Sequence, residues 1–371
     1  MAVSAMYVFF FAIVSLFYFR KKIHSDKTEK HRFLVLYPAY NEDRVIVKSV
    51  LTFLDQNYPR DKFSLIVISD HNRTDTNEAL RALPITVLEA TYDNSTKAKA
   101  LNLAMDSITS EFDFVVILDA DNIVRHNFLT KPNNICKTGH KAYQCHRCAK
   151  NSNNDIAVLD GVSEEINNTI FRKAHNVIGL SSALIGSGMC FDFHWFKEHV
   201  KLLNTAGEDR ELECLLLKQR IHIKYVDNIP VFDEKVYSED NFQRQRLRWM
   251  TAQVQCLFKM LPYLPIAIVR GNIDYIDKTF QQMLIPRSLL ITTTAFMAIA
   301  LSFFVNVWCL KWWALLVIEC ISLILSMPQR LRHDKILKKA IYVPQLALRM
   351  FANIFKIKKN SKEFIHTKHN D

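Results

Sequence analysis

Short apolar runs alternate with amphipathic segments over residues 31–230. Four of these runs predict strands, at 33–37, 65–69, 85–88 and 114–118, and the segments 44–55 and 96–107 predict helices. Strands that are apolar on both faces and alternate with helices are typical of a parallel sheet in an α/β fold. Because ligands of such sheets bind at the carboxyl ends of the strands, the residues that follow each run are candidates for a functional site.

Longer apolar runs flank this region and predict membrane segments. Residues 1–19 are just long enough to span a bilayer, and the basic residues follow this run instead of preceding it, which favours an uncleaved anchor over a signal peptide. Two further runs, 288–309 and 312–327, predict a tight hairpin with its loop near Lys311. Residues 250–287 and 341–355 mix apolar and basic positions and predict helices in the membrane interface.

These patterns predict five regions along the chain. They are an N-terminal transmembrane anchor at 1–22, a cytosolic α/β domain at 31–250, interfacial helices at 251–287, a transmembrane hairpin at 288–327 and a cytosolic basic tail at 328–371.

The charge distribution supports this topology. The chain of 371 residues has a formal net charge of +11, and its basic residues cluster beside the apolar runs, at 20–22 and 330–339. This is the positive-inside pattern, so the excess charge predicts an anionic inner membrane surface as the partner and no nucleic acid. We therefore expect an integral protein of the plasma (inner) membrane, with its N-terminus and the hairpin loop outside the cytoplasm. The chain has seven glycines and no glycine-rich phosphate loop, so nucleotide binding cannot rely on one.

Polar residues follow the predicted strands in a defined order. Tyr40 and Glu42 lie in the turn after the first strand, and Asp70 ends the second. A carboxylate at Asp70 can accept a hydrogen bond from a base N–H, or it can cap the next helix. Lys97 lies near a helix start, where a lysine can meet a phosphate. An ordinary turn and a solvated helical face are the alternatives for Tyr40–Glu42 and for Lys97.

Three carboxylates further along the chain suggest metal binding and proton transfer. Asp119 and Asp121 follow the strongly apolar strand at 114–118, where two carboxylates one residue apart can hold a hard cation such as Mg²⁺ or Mn²⁺ against a diphosphate. Asp209 lies near a helix start, where the helix dipole favours its ionised form, and an ionised carboxylate can take a proton from a hydroxyl. Ordinary acidity of a first helical turn is the alternative for Asp209.

Gln245, Arg248 and Trp249 share one face of a predicted helix, because their spacing is i, i+3 and i+4. Trp offers a flat apolar surface for a sugar ring, and Arg can stabilise a leaving diphosphate. A basic interfacial helix with a Trp anchor is the alternative.

In this order, the six elements resemble the motifs of the family 2 glycosyltransferases. The sequence has P-A-Y-N-E at 38–42, D at 70, K-A-K-A-L-N at 97–102, D-A-D at 119–121, E-D at 208–209 and Q-R-L-R-W at 245–249. The resemblance covers residues 33–250 and is closest to the membrane-integrated branch, which includes cellulose, chitin and hyaluronan synthases and ceramide glucosyltransferase. It implies a GT-A fold between transmembrane helices and inverting transfer of a sugar, with UDP-hexose or UDP-N-acetylhexosamine as the favoured donor. The acceptor would be a growing glycan or a lipid-linked molecule.

The resemblance also implies a role for each matching residue. Asp121 would be the ligand of Mg²⁺ or Mn²⁺ and Asp209 the catalytic base, with residues 186–189 on the acceptor side. Residues 364–368 resemble a tail element of the family. The nucleotide-sugar pocket would consist of Tyr40, Glu42, Asp70, Lys97 and Asp119, and the diphosphate and acceptor would be held by Gln245, Arg248 and Trp249.

Some features depart from the family or favour another interpretation. Gly207 stands where the family usually has Thr, and the three predicted spans are fewer than large processive synthases carry. A catalytically silent nucleotide-sugar-binding subunit of a membrane polysaccharide complex is the alternative function. Other synthesis or export subunits would then be partners, beside membrane lipids. Cys136, His140, Cys145 and Cys148 could form a zinc site, but the last two would point to opposite faces of a strand.

Overall fold

The computed structural model describes residues 1–18, 30–136, 139–152, 154–203, 205, 207–236, 238–304 and 307–332. The basic residues at 20–22 and 335–339, the predicted helix at 341–355 and the tail element at 364–368 lie outside this part of the chain. The described residues form two compact units. We call residues 30–150 and 181–234 the sheet unit, and residues 1–18, 151–180 and 235–332 the helical unit. The predicted domain at 31–250 therefore contains residues of both units.

The sheet unit is built on a mixed sheet, which has eight strands within the described residues. In the sheet their order is β3-β2-β1-β4-β7-β6-β8-β5. The strands are β1 Phe33–Tyr40, β2 Phe63–Asp70, β3 Thr86–Ala90, β4 Phe114–Ile117, β5 Ile123–Val124, β6 Ala142–Ala149, β7 Met189–Asp192 and β8 Ile223–Asp233. The four strands predicted from the sequence lie side by side and are parallel, as predicted. The next strand, β7, is antiparallel to both of its neighbours, β4 and β6.

The helices belong to both units and follow the apolar periodicity of the sequence. In chain order they are α1 Ala2–Val14, α2 Ile46–Leu54, α3 Thr74–Arg81, α4 Lys97–Ser107, α5 Thr130–Cys136, α6 Asp155–Asn167, α7 His175–Val177, α8 Phe193–His199, α9 Glu208–Lys218, α10 Glu239–Met260, α11 Leu264–Val269, α12 Ile273–Met283, α13 Arg287–Ser302 and α14 Trp308–Ser326. A π-helical turn, Asn168–Ala174, joins α6 to α7.

The core of the sheet unit explains why its central strands are apolar throughout. Residues 33–37 of β1 are fully buried, since helices cover both faces of such a strand. On one side α2 buries Ile46, Val50 and Phe53, at the spacing of one helical face, against the same core cluster. The rigid sheet fixes the strand ends at which the candidate site lies.

In the helical unit, the N-terminal helix packs on the π-helical turn. Phe11 of α1 stacks on His175 with ring centroids 3.8 Å apart, and it shares an apolar cluster with Ile166 and Ile170. The Tyr7 hydroxyl donates to Asp277 of α12 at 2.7 Å and lies 2.9 Å from His175 Nε2. These contacts tie α1 to the rest of its unit.

Several helices of this unit have the length or composition of membrane segments. Among the described residues, Glu239–Val269 and Trp308–Ser326 are long and apolar enough to cross a bilayer. The helices α12 and α13, which are bent by 54° relative to each other, would form a third span if the pair is taken as a single membrane segment. The apolar helix Ala2–Phe17 is shorter than the roughly 20 residues that a span requires. The predicted interfacial stretch at 251–287 begins inside α10 and continues through α11 and α12.

The position of the hairpin loop differs from the prediction. Lys311 lies in the first turn of α14, because α13 ends at Ser302 and α14 begins at Trp308. The Lys311 ammonium lies over the Trp308 ring, 3.8 Å from its centroid. A cation held over an aromatic face can be accommodated in a helix, so the charge of Lys311 does not mark the end of the apolar segment.

Candidate active site

The turns after β1 and β2 are joined by hydrogen bonds at one edge of the sheet. The prediction ended β1 at Tyr37, but the strand continues to Tyr40, which pairs in register with Asp70. The Asn41 N–H donates to the Asp70 carbonyl at 3.1 Å. The Asn72 side chain donates to the Ala39 carbonyl and accepts from the Glu42 N–H. Tyr40, Glu42 and Asp70 are therefore brought together, as predicted.

Asp70 does not cap the helix that follows it. The N-cap of α3 is Arg73, and the Asp70 side chain is buried, with Oδ1 2.6 Å from Nδ1 of His71. The alternative of a plain helix cap is thus wrong for Asp70. Its carboxylate lies at the carboxyl end of β2, where a ligand of the sheet would meet it.

Lys97 links two segments of the site. It is the first residue of α4, whose N-cap Thr96 accepts from the Lys99 N–H. Its ammonium donates to Asp119 Oδ1 at 2.5 Å and to the Gly186 carbonyl, and lies 3.4 Å from Glu208 Oε1. Burial alone would lower the pKa of Lys97, but Asp119 and Glu208 outweigh burial and raise it. The alternative of a solvated helical lysine is therefore wrong, because the Lys97 side chain is only 14% exposed and is paired with carboxylates.

The side chain of Asn122 forms hydrogen bonds with both Asp119 and Asp121. The Asp119 N–H donates to Asn122 Oδ1 and to the Ser187 hydroxyl, at 3.0 and 3.2 Å. Asp121 is only 6% exposed, and its carboxylate accepts from the Asn122 side chain at 3.0 Å and from the Glu234 N–H at 2.7 Å. The two carboxylates thus keep fixed positions after β4.

The donor set at these two aspartates fits a hard divalent cation. The Tyr37 hydroxyl is buried without a hydrogen-bond partner among the described residues, and burial together with the charge of Asp121 raises the pKa of Tyr37. A cation bound at the Asp121 carboxylate, with its water ligands, would supply a hydrogen-bond partner for the Tyr37 hydroxyl. Among the described residues, no group of three His, Cys, Asp or Glu ligand atoms within 4.8 Å of one another includes Asp119 or Asp121.

Glu208 and Asp209 begin α9 and lie beside Gly186. Gly186 has φ +81°, and a Cβ there would lie 3.7 Å from Glu208 Oε1, 3.8 Å from Asp209 Oδ2 and 4.0 Å from Lys97 Nζ. Asp209 Oδ1 accepts from the Arg210 N–H. Burial, and then the charges of Asp209 and Asp119, raise the pKa of Glu208 to about 7, although Lys97 acts to lower it. A side chain at position 186 would thus contact both Asp209, the candidate base, and Lys97.

The third group of predicted residues lies in the helical unit. Gln245, Arg248 and Trp249 are on α10, as their spacing predicted. Arg246 of the same segment pairs with buried Asp160 and lies over the Trp249 ring, 4.3 Å from its centroid. The Gln245 Oε1 atom is buried without a partner among the described residues.

Two residues near the candidate site had no role assigned from the sequence. Glu208 was part of the E-D motif, but its burial depends on Lys97 and Gly186, which are distant in sequence. His71 was not singled out in the sequence, where it is the residue that follows Asp70. The side chains of Asn122 and Ser187, which position the Asp119 backbone, were missed, since an Asn or Ser near a strand end is common.

The alternative zinc site is not formed in the described residues. Cys136 and Cys145 belong to the apolar core of the sheet unit, and burial raises the pKa of the Cys145 thiol well above its usual value. No three of Cys136, His140, Cys145 and Cys148 bring their ligand atoms within 4.8 Å of one another. A thiol held protonated in an apolar core is a poor zinc ligand.

Comparison with known proteins places these residues in context. Residues 31–252, which include all six motifs, match the family described as "Glycosyltransferase like family 2". A segment of 96 residues, 26% of the chain, is 30% identical to the cellulose synthase catalytic subunit (UDP-forming) of Pseudomonas fluorescens strain SBW25 and spans 13% of that relative's length. The structure is similar to that of the mannosyltransferase PcManGT from Pyrobaculum calidifontis in complex with GDP-Man and Mn²⁺. The TM-score is 0.55 at 17% identity, and the match covers 87% of this chain and 93% of that one.

Proposed function

Because the chain belongs to the family 2-like glycosyltransferases and has their GT-A fold, we propose that it is an inverting, membrane-bound transferase. It moves a sugar from a nucleotide-diphosphate sugar, UDP-hexose or UDP-N-acetylhexosamine, to a growing glycan or a lipid-linked acceptor. The observation that carries the proposal is the convergence of Lys97, Asp119, Glu208 and Asp209 around Gly186.

Asp209 is the catalytic base of the proposed reaction. Direct displacement at the sugar requires one carboxylate to take the proton of the acceptor hydroxyl as the new bond forms. Asp209 lies in the first turn of α9, where the helix dipole favours the charged carboxylate. Its Oδ2 atom faces Gly186, and the missing side chain at Gly186 leaves room for an acceptor to approach the base.

Lys97 and Asp119 prepare the donor side. With the nucleotide at the ends of β1 and β2, Tyr40, Glu42 and Asp70 contact the nucleoside, and Lys97 holds Asp119 in position through the 2.5 Å hydrogen bond. A Mg²⁺ or Mn²⁺ ion bound by Asp121 would neutralise charge on the leaving diphosphate. Gln245, Arg248 and Trp249 of α10 bind the diphosphate and the acceptor.

The helical unit attaches the enzyme to the plasma (inner) membrane, with the sheet unit in the cytoplasm. Exposed apolar side chains on and beside α11 and α12, including Ile268, Val269 and Ile273, support contact of this part with lipid acyl chains. The cluster of Lys97, Asp119 and buried Glu208 beside intact Asp209 argues against a catalytically silent subunit, because charges that perturb one another at a cleft are typical of functional sites. Subunits for polymer synthesis or export are further partners of this proposal.

A donor panel tests the proposed function. The protein, in nanodiscs with Mn²⁺ and a glycolipid acceptor mixture, is given UDP-glucose, UDP-N-acetylglucosamine and GDP-mannose in separate reactions. Released nucleotide and product size are both recorded, so a single glycolipid is distinguished from a polymer. Release of UDP with a new glycosidic product is expected from the wild type and not from Asp209→Asn. No release from any donor, with folded protein, would refute the proposal.

A further inference from the structure

The edge of the sheet beside Asp70 has two strained backbone positions. Asn41 and His71, which follow β1 and β2, have φ of 55° and 58°. These values are uncommon for residues other than glycine, and they are unfavourable unless the surrounding structure enforces them. Here the enforcing contacts are the Asn41 N–H to Asp70 carbonyl bond and the bridging side chain of Asn72. The strain turns the His71 side chain back onto the end of its own strand.

His71 occupies one of the two carboxylate oxygens of Asp70. Its Nδ1 lies 2.6 Å from Asp70 Oδ1, and no other side chain or backbone donor of the described residues bonds to that carboxylate. Because the partner is an acceptor, Nδ1 carries the hydrogen and donates it. The Asp70 side chain is 4% exposed and that of His71 40%, so the imidazole that contacts the buried carboxylate is itself partly in solvent. Oδ2 is left as the oxygen that can accept from a ligand.

Aromatic side chains stand on both sides of this carboxylate. The Tyr40 ring meets the His71 ring edge to face, with centroids 5.5 Å apart. Tyr92, which follows β3, is close enough to Asp70 that burial and the Asp70 charge together raise the pKa of its hydroxyl. Each of three neighbouring parallel strands thus ends at or is followed by an aromatic ring, from Tyr40, His71 and Tyr92. Flat rings beside a single hydrogen-bond acceptor suit a nucleobase that offers one N–H.

The hydrogen-bonding edges of the nucleobases differ in how they match this arrangement. Uracil presents one N–H between two carbonyl oxygens. Guanine presents an N–H and an adjacent amino group, which together match the two oxygens of a free carboxylate. Adenine and cytosine present a ring nitrogen lone pair, which a carboxylate repels. With Oδ1 already accepting from His71, uracil finds its partner in Oδ2, whereas the amino group of guanine must compete with the imidazole for the remaining lone pair of Oδ1.

We propose that His71 selects the nucleotide: by holding Oδ1 of Asp70, it makes the pocket prefer a uracil nucleotide over a guanine nucleotide. The inference rests on the proposed function, because it assumes that the nucleotide of the donor binds at this edge of the sheet. A buried unmatched donor weakens binding on the order of ten- to a hundredfold, which is the expected preference for UDP over GDP.

Nucleotide binding alone, without turnover, tests this proposal. Dissociation constants for UDP and GDP are measured by calorimetry on the full chain in nanodiscs with Mn²⁺, for the wild type, His71→Gly and His71→Asn. Glycine accepts the positive φ of position 71 and removes the imidazole donor. The ratio of the dissociation constant for GDP to that for UDP should therefore fall toward one, because GDP binds more tightly. Asparagine also tolerates the left-handed region and carries an amide donor that can reach Asp70, so it should retain the preference.

The outcomes separate this inference from the proposed function. UDP binding with an unchanged UDP-to-GDP ratio in folded His71→Gly would overturn the role of His71 and leave the transferase proposal standing. Equal affinity of the wild type for UDP and GDP would do the same. If neither nucleotide binds to the folded wild type, the nucleotide site itself is wrong, and both proposals fail.

Discussion

Replacing Gly186 by alanine would add one methyl group between the predicted base and Lys97. The added carbon would lie 3.7 to 4.0 Å from Glu208 Oε1, Asp209 Oδ2 and Lys97 Nζ. These are ordinary van der Waals distances, so the folded chain can accommodate the methyl group without displacing the cluster. The φ of +81° at Gly186 makes alanine unfavourable by about 1–2 kcal/mol, and the reduced freedom of the unfolded chain offsets about 0.4–1 kcal/mol of this. The net loss of stability is then about 1 kcal/mol.

The effect on turnover should be much larger than the effect on stability. The methyl group occupies the space from which an acceptor hydroxyl would reach Asp209, and a displacement of about 1 Å can cost on the order of 10²-fold in rate. We expect Gly186→Ala to lower kcat/KM for the acceptor by about that factor. UDP affinity should be unchanged, because the nucleoside pocket at Tyr40 and Asp70 is formed by other segments. Turnover and UDP binding are measured on the same preparation.

Gly179→Ala is the matched control. Gly179 has the same φ of +81°, and a Cβ there meets nothing within 4 Å. The backbone cost is therefore similar, while the active site is untouched. We expect similar decreases in thermal stability for the two variants, with turnover lost only in Gly186→Ala. Equal turnover of the two variants would show that Gly186 does not face the acceptor, and the assignment of Asp209 as the base would lose its geometric support.

Four further predictions concern the same site and its membrane attachment. Asp209→Asn should reduce turnover by about 10²–10⁴-fold while UDP binding persists, and loss of both in a folded variant would make Asp209 structural. EDTA should abolish transfer and Mn²⁺ or Mg²⁺ restore it, so full activity in excess EDTA would contradict the metal assignment. The pKa of Glu208 is raised to about 7 by burial, so the folded state binds this proton more tightly than the unfolded chain, and the stability of the wild type falls as pH rises from about 4.5 to 7. In EDTA, Glu208→Gln should therefore be more stable than the wild type above pH 7, by on the order of 3 kcal/mol at most. A stability difference that does not change with pH would count against the burial of Glu208. A cysteine at Val307, with Cys309 and Cys320 replaced by serine, should react with an impermeant maleimide in intact cells, and reaction only after permeabilisation would reverse the proposed topology.

The central sheet was predictable because its strands are buried on both faces. Runs such as 33–37 and 114–118 contain no polar residue that could face solvent, so their pattern has few other structural solutions. The end of β1 was misplaced because Pro38 follows the run and usually signals a turn. In the structure the strand continues to Tyr40, parallel to β2. The antiparallel strands β6 and β7 were harder to place in the sheet, since pairing partners distant in sequence leave no local pattern.

The candidate site was predictable residue by residue but not as an arrangement. Motif spacing identified Lys97, Asp119 and Asp209, yet the contact of all three segments at Gly186 depends on the fold. Sequence spacing also favoured Arg248 over Arg246, because only the former shares a helical face with Gln245 and Trp249. The structure shows that Arg246 makes an ion pair, whose buried partner Asp160 lies 86 residues earlier along the chain. A hydrophobicity pattern does not contain that information.

The π-helical turn at Asn168–Ala174 has a consequence for how this protein can diverge. A π turn holds about one residue more than the α-helical turn that it replaces, because its hydrogen bonds run from i to i+5. Deleting one residue there would restore α geometry and rotate the following residues by about 100° about the axis. His175 would then turn away from Tyr7 and Phe11, its contacts on the N-terminal helix. A single deletion would thus remove the contacts of His175 with the first helix and leave the hydrogen bond from Tyr7 to Asp277 as a polar contact of that helix within its unit.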